Sequence, residues 1–177
     1  AHKRIPAITA RSGVVFDYVP ILLGGVFKAT GNASPVTVPA KGRYMNADMG
    51  RFAAKFGVQL AMNPFFPINT ITLMRGATGL LGTPRFAAYV DAVFNAMWQT
   101  PVNMGDPQVL ATTLAAAGFE VAEFMALVED AEVKDRLKAN TEAAVARGVF
   151  GAPTFFVGDA IYFGQDRLDW VEEAALH

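Results

Sequence analysis

The sequence predicts an α/β chain in which short stretches of strand character are separated by a long helical block. Three observations carry this. β-branched and aromatic residues cluster in Val14–Pro20 and again in Thr154–Phe163. Between about Lys41 and Ala146 the apolar residues recur at helical spacing. Gly, Pro, Asn and Ser mark the changes of period. The order is helix, strand, helical block, strand, strand, helix, in 177 residues, enough for one core domain with an insertion.

The first helical stretch, "AHKRIPAITARSG", ends at Gly13, the residue type that best tolerates the left-handed conformation past a helix end. "VVFDYVP" (Val14–Pro20) follows as an expected buried strand bounded by Gly and Pro. An apolar, Gly-rich segment, "ILLGGVF" (Ile21–Phe27), then leads into the loop "ATGNASPVTVPAKG". Within the helical block two starts are explicit, Thr83 before Pro84 and Asp106 before Pro107, each a capping residue followed by proline at the first helical position. Phe86, Val90, Val93, Phe94, Met97 and Trp98 then define one apolar face. After Gly148 the period changes. "TFFV" and "AIYF" flank Gly158-Asp159, a two-residue hairpin turn of the I′ or II′ kind. A last helix is expected from about Asp166.

Composition removes several classes of function. With 53% hydrophobic residues the protein is not disordered, and a net charge of −1 leaves no basic footprint for nucleic acid. No apolar run reaches the roughly 18 residues of a membrane span. There is no cysteine, so disulfides, thiolate metal sites and a cysteine nucleophile are excluded within this sequence. The two histidines stand near the two ends, so no His-based metal site is expected. Chemistry here must use hydroxyls, amides, backbone groups or a reagent brought in from outside.

Without its helical block, the order of elements resembles a thioredoxin-like fold that lacks its first strand. The large all-helical insertion then lies between the second and third strands. Residues 1–30 and 147–177 would form the thioredoxin-like part, N-terminally incomplete, and 31–146 the connecting loop and helical insertion. In such folds a cis-proline precedes the third strand, and here "RGVFGAPTFFV" places Pro153 at that point. A cis Ala152-Pro153 bond would present the N–H and C=O of Ala152 to an extended peptide. An ordinary proline at the first residue of a strand fits the same local sequence.

Three stretches narrow the resemblance. "GGVFKATGNASPVTVPAKGRYMNADMGR" (Gly24–Arg51), "NPFFPINTITLMRG" (Asn63–Gly76) and the C-terminal Arg147–Leu176 together resemble the 2-hydroxychromene-2-carboxylate isomerases and the related kappa-class glutathione transferases. "FPINT" and "GAPTFFVGD" lean to the isomerase side. The resemblance implies glutathione as cofactor, with Asn32, Lys41, Ala152, Pro153, Gln165 and Asp166 in its binding positions. Lys41 suits a terminal carboxylate as a point charge, and the Asn32 amide can donate and accept. Ala152 matches the residue whose backbone holds the cysteinyl unit. Gln165 and Asp166 match the pair at the start of the last helix, for the γ-glutamyl carboxylate and ammonium. Each also has a plain role: Asn32 in a turn, Lys41 as a solvated lysine, Asp166 as a helix cap. Asn69 either caps a helix or faces the substrate.

The resemblance further implies a cytoplasmic homodimer acting on a small aromatic substrate, with no nucleic-acid or membrane partner. One departure stands out. The family's catalytic serine, in a turn after the first strand, has no counterpart; Ser12 and Ser34 are in the wrong places. That serine and a first strand are therefore expected in about twenty residues upstream of Ala1. Such a strand would lie between Val14–Pro20 and Thr154–Val157, leaving a strand-wide gap there. Three functions stay open: the isomerase, a kappa-class-like transferase, and a glutathione-binding module without catalysis.

Overall fold

Nine α-helices and one β-hairpin follow one another in a computed structural model that describes every residue, Ala1–His177. Helix α1 (Ile5–Ser12) stops at Gly13, which adopts φ +73° while its N–H closes on the Thr9 C=O at 2.9 Å. Positive φ is costly for any residue with a Cβ, so the glycine sets this boundary.

Val14–Pro20 departs from expectation. It carries no regular secondary structure, and no backbone hydrogen bond joins it to any other segment. Strand propensity marks residues suited to a pleated, half-buried surface, but only a neighbouring backbone makes them a strand. None pairs with it here, and Val15 is 79% exposed. It meets the hairpin through side chains alone, Phe16 lying edge-on to Phe155 with centroids 6.3 Å apart. Its end is anchored elsewhere. Asn140 Nδ2 donates to the Pro20 C=O at 3.3 Å, and the Leu22 N–H donates to Thr141 Oγ1 at 3.0 Å.

The Gly-rich segment after it is helical: α2 spans Leu23–Thr30. Its glycines lower local helix propensity, yet Gly25 lets the helix come close to Thr141, whose Cγ2 would lie 3.2 Å from an added Cβ. The helical block then runs through α3 (Pro39–Phe56), α4 (Ile71–Leu80), α5 (Phe86–Trp98), α6 (Pro107–Ala116), α7 (Val121–Glu129) and α8 (Ala131–Ala146). Asp106 caps α6 as expected, its Oδ1 accepting the Gln108 and Val109 N–H groups at 2.8 and 3.2 Å. Thr83 does not cap α5. Its hydroxyl donates back to the Leu80 C=O at 2.7 Å and accepts the Arg85 N–H, forming a turn, and the helix starts only at Phe86.

The larger core lies in this block and includes Leu73, Tyr89, Met97, Leu110, Phe124 and Val128. The buried face of α5 is rotated from the expected one. Tyr89 is 1% exposed whereas Phe94 is 43% exposed. Tyr89 can be buried because its O–H donates to the Leu73 C=O at 2.8 Å, and burial pushes its phenol pKa well up. Outside this cluster Ile8, Val26, Val149, Leu168 and Val171 are also buried.

The hairpin pairs β1 (Thr154–Val157) with β2 (Ala160–Phe163), Phe155 opposite Tyr162 and Phe156 opposite Ile161. Of the two turn residues only Gly158 has positive φ, the arrangement of type II′ rather than I′. Helix α9 (Leu168–Ala175) packs on β1.

Close packing in the block gives a direct test. A Cβ on Gly76 would lie 2.5 Å from both Tyr89 Oη and Phe124 Cε2, whereas one on Gly50 would meet nothing within 4 Å. Gly50→Ala should stabilise by about 0.5–1 kcal/mol through helix propensity. Gly76→Ala should instead destabilise by about 1–3 kcal/mol through overpacking. Urea unfolding of both variants checks this; equal gains would show that α4 does not lie against Tyr89.

Candidate functional site

The stretch between α8 and β1 is tied down residue by residue. Arg147 closes α8, Gly148 turns the backbone at φ +91°, and the buried Val149 donates its N–H to the Ala144 C=O at 3.0 Å. The Phe163 ring lies against Phe150, with centroids 4.6 Å apart, and covers Gly151 so closely that a Cβ there would be 2.7 Å from it. Thr154 Oγ1 donates to the Gly151 C=O at 2.7 Å, and the Gly164 N–H donates to the Pro153 C=O at 2.9 Å. The Ala152–Pro153 peptide is cis, as is Phe66–Pro67. Ala152 itself is exposed, and neither its N–H nor its C=O has a partner within the protein. A backbone donor and acceptor are therefore left without partners on an exposed residue of a turn whose flanking carbonyls are held.

Two other segments converge on this turn. Asn32, just past the α2 terminus at Gly31, donates from Nδ2 to the Phe150 C=O at 2.8 Å and accepts the Ala33 N–H on Oδ1. On the other side Gly164, at φ +101° and ψ 151°, bends the backbone into a 3-10 turn, Gln165–Arg167. That conformation is essentially open to glycine alone. The N–H groups of Gln165 and Asp166, as first donors of a helical turn, find no acceptor within it. The Gln165 C=O accepts from Arg4 Nη1 at 3.2 Å. Asp166 does not cap α9. The 3-10 turn intervenes, and its carboxylate pairs with Arg167 Nη1 at 2.6 Å instead.

Asn32, Ala152, Pro153, Gln165 and Asp166 are thus brought together. Lys41 stands exposed on the first turn of α3 without ion pair or hydrogen bond, and no contact ties it to the Ala152 turn. Asn69 accepts the Ile71 N–H at 3.0 Å, a turn at the start of α4, and is likewise not joined to that turn. No group of three or more metal-ligating side chains is present, and no helix is long and apolar enough to cross a membrane.

Sequence reading missed a cluster formed where the residues before α1 meet the middle of α5. His2 Nε2 and Lys3 Nζ both reach Asp91 Oδ1, at 2.8 and 2.9 Å, and the His2 ring stacks on Phe94 at 4.7 Å. A hollow of about 250 Å³ opens beside them, lined also by Tyr18, Phe86 and Val90. Hydrogen bonds from Lys3 and His2 hold the Asp91 carboxyl below the usual range. Burial, and then the Asp91 charge, push the Tyr18 phenol up. No local signal could have found a pair 89 residues apart in sequence.

Comparison with known proteins bears on what such a site does. A model of the DSBA-like thioredoxin domain matches residues 1–175. The 2-hydroxychromene-2-carboxylate isomerase of Sphingobium xenophagum is 30% identical, over 99% of this chain and 90% of its own. That of Pseudomonas sp. (strain C18) is 31% identical over 98% and 82%. Human glutathione S-transferase kappa 1 is 27% identical over 85% and 73%. A solved structure of 2-hydroxychromene-2-carboxylate isomerase superposes with a TM-score of 0.86 at 28% identity, covering 98% of this chain and 85% of that one.

The Asp91 pairing predicts a pH signature. A carboxyl whose pKa is depressed on folding adds stability above its unfolded value and loses it as pH falls through the folded one. The Tm difference between wild type and Asp91→Asn should therefore be full above roughly pH 5 and shrink as pH falls below about 4. A difference that stays constant from pH 2 to 6 would show that the pair contributes nothing by charge.

Proposed function

This chain belongs to the DSBA-like thioredoxin domains and, within them, to the 2-hydroxychromene-2-carboxylate isomerase family, and from that premise we propose that it is a glutathione-dependent isomerase. The reaction proposed is the interconversion of 2-hydroxychromene-2-carboxylate and trans-o-hydroxybenzylidenepyruvate, by a cytoplasmic homodimer. The observation that carries the reading is the Ala152 turn, with an unpartnered N–H and C=O on a backbone held from both sides. A γ-glutamyl tripeptide is extended, thiol-bearing and doubly carboxylated, and it fits these groups.

Bound glutathione would supply the thiolate that adds reversibly to the substrate's conjugated double bond, allowing ring opening, bond rotation and release of the thiol. The protein's own part is to bind and orient. Ala152 would pair, strand-like, with the cysteinyl unit. The Gln165 and Asp166 N–H groups would receive the γ-glutamyl carboxylate, and the Asp166 side chain its ammonium. Lys41, with no partner of its own, is free to meet a terminal carboxylate. Asn32 would act through the Phe150 C=O, holding the turn in place. Asn69 is assigned to the substrate side. Ser12 takes no part, since its hydroxyl donates to the Ile8 C=O at 2.7 Å and accepts the Val14 N–H.

The kappa-class relatives support a second reading, a transferase that releases a glutathione adduct. Mass analysis after turnover separates the two. The isomerase leaves glutathione unmodified in full, whereas a stoichiometric adduct would make the protein a transferase. Calorimetric titration tests the site itself. Lys41→Ala should weaken glutathione binding by about 1–3 kcal/mol, the usual cost of a lost charged hydrogen bond. Unchanged affinity would return Lys41 to the solvated surface.

A further inference from the structure

We propose that Arg4 is a positioning residue of this site, fixing the direction of the Asp166 N–H; the proposal rests on the glutathione reading above. Two arginines join α1 to α9, and they do so differently. Arg11 commits its guanidinium to one carboxylate, Nε and Nη2 reaching the two oxygens of Glu172 at 2.8 and 2.5 Å, with its side chain 53% exposed. Arg4 is only 12% exposed and divides its donors. Nη2 pairs with Asp169, while Nη1 donates to the backbone carbonyl of Gln165 at 3.2 Å. The Phe56 ring lies 4.3 Å from the Arg4 guanidinium carbon and holds the plane of the group. A residue serving only to clip two helices together would need neither the Gln165 bond nor the ring.

The consequence follows from the peptide unit. The Gln165 C=O and the Asp166 N–H belong to one planar group, and it is trans, since the cis bonds of the protein lie elsewhere. In a trans peptide these two bonds point in opposite directions. With its oxygen anchored on Arg4, the unit aims the Asp166 N–H away from α1. A charge-assisted bond to the oxygen also polarises the unit and strengthens that N–H as a donor. Gly164, one residue earlier, already binds the Pro153 C=O. Arg4 therefore sets the angle between the Asp166 donor and the Ala152 turn. It touches no substrate and acts through the Gln165–Asp166 peptide. A lysine would keep the charge, but its compact ammonium cannot reproduce the planar fork that reaches Asp169 and Gln165 at once over an aromatic ring.

The test compares wild type with Arg4→Ala, Arg4→Lys and Arg11→Ala, by amide NMR and by titration with glutathione and with cysteinylglycine, which lacks the γ-glutamyl unit. Arg4→Ala should shift the Asp166 amide resonance. It should also weaken glutathione about tenfold, as for loss of one charge-assisted bond, and leave cysteinylglycine within about twofold. Arg4→Lys should fall in between, and serves in its place if the alanine variant does not fold. Arg11→Ala, which removes a comparable ion pair, should lower Tm and change neither readout. The proposal is overturned if the Asp166 amide stays in place in both Arg4 variants. It is overturned equally if both ligands weaken together, or if Arg11→Ala does the same. A wild type that binds no glutathione, with the Asp166 amide still moved by Arg4→Ala alone, would sink the ligand reading and leave the hold of Arg4 on that N–H standing.

Discussion

The hydrogen bond from the Gly164 N–H to the Pro153 C=O is the constraint on which the site depends. It fastens the end of β2 to the residue before β1, so the turn at Ala152 cannot drift away from the turn at Gln165–Asp166. The Phe163 ring, packed over Gly151, fills the space beneath the same turn and leaves no room for a side chain. Gly164 in turn occupies a conformation that only glycine adopts freely. Two glycines and one aromatic ring thus hold a short piece of backbone in one arrangement, in which both the N–H and the C=O of Ala152 are left without a partner. Preorganisation of this kind spares a ligand the cost of ordering the groups it binds.

The rest of the molecule serves to hold that arrangement steady. Asn32 reaches the turn from α2, whose close approach to α8 depends on Gly25. Arg4, at the start of α1, holds the neighbouring turn at Gln165, and α9 packs on β1. The helical block contributes a separate, larger core around Tyr89, and it leads into the turn through Val149, buried at the end of α8. In α5 the Asp91 carboxylate holds His2 and Lys3, just ahead of α1. The start of α1 is therefore braced on one side by α5 and on the other by α9.

Features governed by a few adjacent residues were legible in the sequence. The Gly13 helix end, the Asp106-Pro107 start, the Gly158-Asp159 hairpin and the turn at Ala152-Pro153 all rest on local backbone chemistry, and each stands where it was expected. The failures share a cause. Val14–Pro20 has strand-forming residues but no adjacent backbone to pair with, and Ile21–Phe27, which the sequence left without an assigned element, has glycines that lower helix propensity but a packing surface on α8 that favours a helix. Periodicity placed Phe94 in the core and passed over Tyr89, because a tyrosine is buried only where its hydroxyl finds an acceptor, here on another helix.

The same division runs through the site. By itself the sequence determined which residue types are present: no cysteine, an Ala-Pro turn framed by glycines, an Asn and a Lys after α2, and a Gln-Asp pair before the last helix. Motif order also identified the family, since those stretches are read one after another along the sequence. Tertiary structure alone decided that Asn32 meets the Phe150 carbonyl beside the Ala152 turn and that Arg4 takes hold of the Gln165 carbonyl. Each of these joins a side chain to a partner set by the path of the backbone, over separations of up to 161 residues. Local propensity acts over one or two helical turns, and contacts of that span are settled only when the elements pack.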